Sequence, residues 1–229
     1  MSAGRLGTDG AAAAALGGSG NGGSPRGDQR REALLRALDD QLRVRKLDDI
    51  SVADLTDAAG ITRSAFYFYF ESKAAAVAVL LASVQEQAED STKVLVGTEG
   101  TFRERISAAL ERLADRVVEN AHLYRALLTA RTTHDPTRAM WDGGRVLLAE
   151  PIAEHIRAER AAGRAPDGPD PQALAEALVR INESVLETLA HNPDEPRDPL
   201  LPTAADVWVR AVYGRPDPAV DTPTTGDPS

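Results

Sequence analysis

The chain has 229 residues, 42% of them hydrophobic but only 4% aromatic, with no cysteine and a formal net charge of −9. That length can bury a sizeable core, which must come mainly from Ala, Leu, Val and Ile, a composition that favours helices over a β-sandwich. The missing cysteines exclude a disulfide framework, thiolate metal ligation and a cysteine nucleophile, and the acidic balance excludes nucleic-acid binding through bulk positive charge.

Residues 1–27 are rich in Gly, Ala and Ser and predict a disordered tail, because such a composition cannot offset its ordering entropy. Within it, Gly18-Ser-Gly-Asn-Gly-Gly23 has the letters of a dinucleotide fingerprint, yet no strand precedes it and no amphipathic helix opens from it, so no nucleotide cofactor is expected. The longest stretch without charged or strongly polar residues apart from Ser83, Ala74 to Val84, is 11 residues. A bilayer span needs about 20, so a cytoplasmic protein without a membrane partner is expected.

Nine helices follow from spacing and caps. Leu34, Leu38 and Leu42 stripe a first helix over about 28–46. Ser51-x-x-Asp54 opens a second that stops at Gly60, with Val52, Leu55 and Ala59 inward. Thr62 caps a third to about Tyr69. A fourth, from Ser72 to about 93, buries Val77, Leu80, Leu81, Val84 and Ala88. Thr101-x-x-Glu104 boxes a fifth to about 119, and a short sixth covers about 121–131. Asp135-Pro136 opens a seventh ending near Gly163, and Asp170-Pro171 an eighth to about His191. The ninth is predicted from Thr203, with Asp206 three residues on, to Gly214. Residues 215–229, with four prolines, predict a second disordered tail.

The second and third helices, with the turn at Gly60, make a helix-turn-helix, whose second helix presents Thr62, Arg63, Ser64 and Ala65 at the end that reaches base edges. The run Gly60-Ile61-Thr62, then Phe66-Tyr67-Phe68-Tyr69-Phe70-Glu71-Ser72-Lys73, resembles the TetR family of transcriptional repressors. The resemblance implies that Arg63 reads bases, that Thr62, Tyr67 and Tyr69 touch the DNA backbone or base methyls, that Ser51 is another backbone contact, and that Lys73 binds phosphate. Phe66 and Phe70 read as core, and Phe68 as either packing or surface. Residues 28–73 carry eight basic against nine acidic side chains and residues 74–229 carry 16 against 25, so the acidity lies mostly outside this segment. Arg26, Arg30 and Arg31 could form a basic arm or simply a solvated one.

The expected fold is therefore all-α: an N-terminal helix-turn-helix domain (28–73) and a C-terminal ligand-binding and dimerisation bundle (74–214). In the eighth helix Asn182 sits at the edge of the stripe Leu174, Leu178, Ile181, Val185, Leu189, where an amide is costly unless bonded by a ligand carbonyl or a backbone group. Ile181-Asn-Glu183 and Val207-Trp-Val-Arg-Ala-Val-Tyr-Gly214 resemble the ethionamide-repressor subgroup of the family, which implies a lipophilic tunnel at Phe102, Ile106, Ala109, Trp141, Leu148, Ile152, Asn182, Leu186 and Trp208. Ala109 and Leu148 stand where aromatics would, and Arg145 charges the wall. The implied partners are an operator in double-stranded DNA, a small lipophilic effector and a second copy of the chain. No metal site or enzyme motif competes, since the four histidines are scattered and His155 with Glu159 reads as a surface ion pair. The alternative is a small-molecule binding module with weak or no DNA binding.

Overall fold

A computed structural model describes residues 25–81, 94–97 and 99–214, all helical or irregular, with no strand among them. The glycine motif, Arg26's side chain, Val84, Ala88, the end of the fourth helix and the C-terminal tail lie outside what can be described.

Helix α1 runs Pro25–Leu42. It opens earlier than spacing predicts, so residues 25–27 are helix rather than tail, because Pro25 supplies a pre-set first-turn φ and Asp28 an acid in the first turn. It also closes earlier, before a short 3-10 turn at Leu47–Asp49. Ser51 caps α2 (Val52–Ala59) in a reciprocal box: Ser51 Oγ accepts from Asp54 N at 3.0 Å and Ser51 N donates to Asp54 Oδ2 at 2.9 Å. Gly60 ends it at φ 65°, a left-handed backbone that a side chain would strain, and Ile61 N returns to Thr56 O at 3.0 Å. The helix α3 (Arg63–Tyr69) and the described part of α4 (Lys73–Leu81) meet at a bend of 52°. No single described helix is long and apolar enough to cross a membrane.

Leu34, Leu38, Ile50, Leu55, Phe66, Phe70 and Val77 close one apolar cluster, into which α6 (Ala121–Thr133) sends Leu123, Ala126, Leu127 and Ala130. The head therefore shares its core with the bundle through α4 and α6.

The larger cluster joins α5 (Phe102–Glu119), α7 (Asp135–Ala161), α8 (Pro171–His191) and α9 (Leu200–Tyr213) around Leu110, Ile156, Leu178 and Trp208. The Thr101 box on α5 and the Asp170 cap on α8 form as spacing predicts. Two starts differ. The cap of α7 is His134 rather than Asp135: His134 Nδ1 accepts from Thr137 N at 3.3 Å, which leaves Nε2–H to donate to Glu71 Oε1 at 2.9 Å. Asp135 turns instead to Arg138 at 2.7 Å. Helix α9 begins at Leu200, not Thr203, since burial of Leu201 extends it backwards while Asp206 is taken by Arg103. Ile181, expected inside, is 37% exposed on α8.

Candidate nucleic-acid interface and ligand cavity

On the head, α3 sorts its residues by face. Phe66 and Phe70 are 1% and 4% exposed, their rings 5.8 Å apart and tilted by 50°, and they fix the helix to the core. Thr62, Arg63, Ser64, Tyr67 and Phe68 all point to solvent, while Ala65 and Tyr69 are half-buried. Thr62 Oγ1 caps α3 from Ala65 N at 3.3 Å, and Ser51 caps α2, so both hydroxyls keep only their O–H for an outside acceptor. The Arg63 guanidinium lies 5.8 Å above the Tyr67 ring, its Nη2 3.5 Å from the phenol oxygen, so the two move as one polar tip. Phe68, 82% exposed, rests edge-on against Tyr69 and belongs to this outer face rather than to packing on α1. The Arg31 guanidinium lies 5.5 Å from the centre of the Phe70 ring, which lodges one of the three entry arginines against the head.

Lys73 is placed differently from its expected role at phosphate. Its Nζ donates to Leu47 O at 2.8 Å and to Ile50 O, so two of its three donors pin α4 to the turn before α2. Nearby, His122 on α6, 8% exposed, bonds Asp39 on α1 at 2.9 Å.

In the bundle, side chains of α5, α6, α7, α8 and α9 line a cavity of about 160 Å³. Ile106, Ala109, Trp141, Leu148, Ile152, Asn182, Leu186 and Trp208 line it together. Phe102 does not: it is stacked at 5.3 Å on His155 and set edge-on to Tyr213, one turn beyond the cavity's end. The tunnel implied by the resemblance does not include Tyr124, Val179 or, most consequentially, Leu81, which spacing places only in the core of the fourth helix; it is the last described residue of α4, 2% exposed, and forms part of the same wall. The small side chain of Ala109 and the aliphatic Leu148 leave width that aromatics would fill. Asn182 is met by the indole of Trp208, a partner the sequence alone does not name, whose Nε1 donates to its Oδ1 at 2.8 Å. Arg145 is held in the wall by Glu183, from Nε at 3.1 Å and Nη2 at 2.9 Å.

His155 and Glu159 do not form the surface pair expected of them. Glu159 is 8% exposed and accepts from Arg164 at 2.6 Å and from Tyr213 at 3.0 Å, which with the Arg164 charge holds its carboxyl below the usual range against the opposing effect of burial. No cluster of His, Asp or Glu among the described residues is arranged to hold a metal.

Comparison with known proteins gives the same picture twice. Residues 34–78 match the family described as bacterial regulatory proteins, tetR family, and residues 103–214 match the C-terminal domain of transcriptional regulator EthR. The HTH-type transcriptional regulator EthR of Mycobacterium tuberculosis is 33% identical over 198 residues, which is 83% of this chain and 90% of that protein. Its counterpart in Mycolicibacterium smegmatis is 30% identical over 193 residues, 83% and 89% of the two chains. Among solved structures, NalD, the secondary repressor of the MexAB-OprM multidrug efflux pump in Pseudomonas aeruginosa, shares the fold with a TM-score of 0.62 at 18% identity, over 83% of this chain and 98% of that one.

Proposed function

The chain belongs to the TetR family of bacterial regulatory proteins, near EthR, and from that membership we propose that it is a homodimeric transcriptional repressor, released from a palindromic operator by a small lipophilic effector. Arg63, with Ser64, Tyr67 and Phe68 on the same exposed face of α3, reads the major groove; Ser51, Thr62 and Tyr69 meet the backbone around it. One seven-residue helix reads too few base pairs for specificity, so two copies related by a two-fold axis act on mirrored half-sites. Ile181 and Val207, exposed and apolar on α8 and α9, suit those helices to pairing with their copies.

The observation that carries the reading is Leu81. It belongs to the helix that follows the reading helix, and it also forms cavity wall, so a ligand that fills the cavity pushes on the element that carries α3. The cavity is about 160 Å³, near the ~150 Å³ of an apolar cavity that holds benzene. A longer molecule must therefore widen it. Only differential affinity for the two positions of α4 changes operator affinity, and a coupling of about 1–3 kcal/mol, roughly 5–150-fold, is the working range.

The test is a mobility-shift titration on the DNA upstream of the protein's own gene. Wild type should shift a palindromic fragment as a dimer, and Arg63→Ala should lose about 1–3 kcal/mol while relaxing preference at one base pair per half-site. A folded wild-type protein that binds apolar ligands but shifts no fragment would instead be a ligand-binding module without a DNA function.

A further inference from the structure

The cavity is not closed by an apolar wall at every point. Trp141, Arg145 and Glu183 line it and also line a polar cleft between α6, α7 and α8, so the two spaces adjoin across these three side chains. The cleft is lined by Arg131, Arg138, Arg145 and Arg180 and by the carboxylates Asp142, Glu183 and Glu187, and Arg138 is matched from outside the lining by Asp135 at 2.7 Å.

Most of that charge is already matched. Arg145 is held by Glu183 and, at 2.9 Å, by Asp142, and Arg131 reaches Glu187 at 3.2 Å. Arg180 is exposed and has no hydrogen-bond or ion-pair partner among the described residues. Trp141 Nε1 is buried and has no acceptor among them either. A buried donor left unmet costs stability, and a wholly hydrocarbon ligand would leave both that donor and Arg180 as they are.

We propose that the effector is a single-chain amphiphile with a carboxylate head: its apolar body fills the cavity between α5 and α8, and its carboxylate sits at the Trp141–Arg145 mouth, facing Arg180. This rests on the reading of the cavity as the effector site. Arg180 is a single cation without a partner among the described residues, which suits a monoanionic head better than a dianionic phosphate. Arg145 supplies a planar fork that a carboxylate can share, so the incoming head competes with Glu183 for it.

The chain's two tryptophans both line the cavity, so intrinsic fluorescence reports its occupancy directly. Full-length protein is titrated with octanoate, octanamide and octylamine, which share a chain length and differ in head charge. Octanoate should bind at least about tenfold more tightly than octanamide, and octylamine more weakly than either. Arg180→Gln, at an exposed position, should remove most of that preference and leave octanamide binding unchanged. Glu183→Gln, which deletes the competing carboxylate, should strengthen octanoate binding. Octanamide binding as tightly as octanoate, or an octanoate preference that survives Arg180→Gln, would overturn the carboxylate assignment while leaving the cavity as an effector site. No fluorescence response to any of the three would overturn the effector reading as well.

Discussion

The indole N–H of Trp208 donates to the side-chain oxygen of Asn182 at 2.8 Å, joining α9 to α8 across the cavity wall. An indole nitrogen can only donate, so the bond fixes which way the amide faces: oxygen to Trp208, NH2 left for another acceptor. Trp208 is fully buried, and without Asn182 its donor has no water to turn to.

Asn182→Leu is therefore expected to destabilise the fold by about 1–3 kcal/mol, although it replaces a polar group on an aliphatic stripe. Trp208→Phe combined with Asn182→Leu should cost less than the two single changes added, because Trp208→Phe removes the donor that Asn182→Leu orphans. Chemical denaturation of the four proteins of this cycle measures the coupling; additive values would mean that the bond contributes nothing.

Lys73→Met should lower stability by about 1–3 kcal/mol, since Leu47 O and Ile50 O lose their shared donor. It should also leave the salt dependence of operator binding unaltered, whereas loss of a phosphate contact would reduce the slope of log K against log salt by about 1. The slope separates a side chain that pins the head together from one that touches DNA.

Burial holds the His155 imidazole below its ordinary range, with Arg105 and Arg164 acting the same way and Glu159 opposing them. The unfolded chain then binds a proton that the fold refuses, so stability rises with pH through the ordinary histidine range of about 6.5. Acidifying from about pH 7.5 to about 5.5 should lower the melting temperature, and His155→Leu should flatten that fall. An identical pH profile in the variant would show that other groups set it.

Asp39 is the opposite case. Its burial raises it, but hydrogen bonds from His122 and Arg43 outweigh that and hold it below the usual carboxylate range. Its contribution is present above that range and is lost only as pH falls through the lowered value, in strong acid. Asp39→Asn should accordingly weaken the α1–α6 tie at neutral pH by about 1–3 kcal/mol and change little at low pH, where wild type has lost the same charge. Denaturant midpoints at the two pH values provide the check.

Local signals carried far in this sequence. The reciprocal boxes at Ser51 and Thr101 and the Asp170-Pro171 start are written within four residues of each other, and the resemblance to the ethionamide-repressor subgroup implies Ile106, Ala109, Ile152 and Leu186 among the lining residues, where they are found. What periodicity leaves out is how far along a stripe the cavity runs: Phe102 shares a face with Ile106 yet lies beyond the end, under His155. It also cannot pair distant residues. Asn182 and Trp208 are 26 apart, and Lys73 reaches carbonyls 26 and 23 residues back. The α7 cap passed to His134 for a similar reason, because its other ring nitrogen finds Glu71, 63 residues away, a partner Asp135 could not have.

The division of labour along α3 has an evolutionary consequence. Phe66 and Phe70 hold the helix in place, while Arg63, Ser64, Tyr67 and Phe68 sit outside the core. On the proposed reading of α3 as the DNA-reading helix, substitutions at the four outer positions would alter which DNA sequence is recognised without disturbing the fold. A duplicated copy of such a gene is thus free to drift towards a new target, one exposed side chain at a time, while remaining a folded protein at every step.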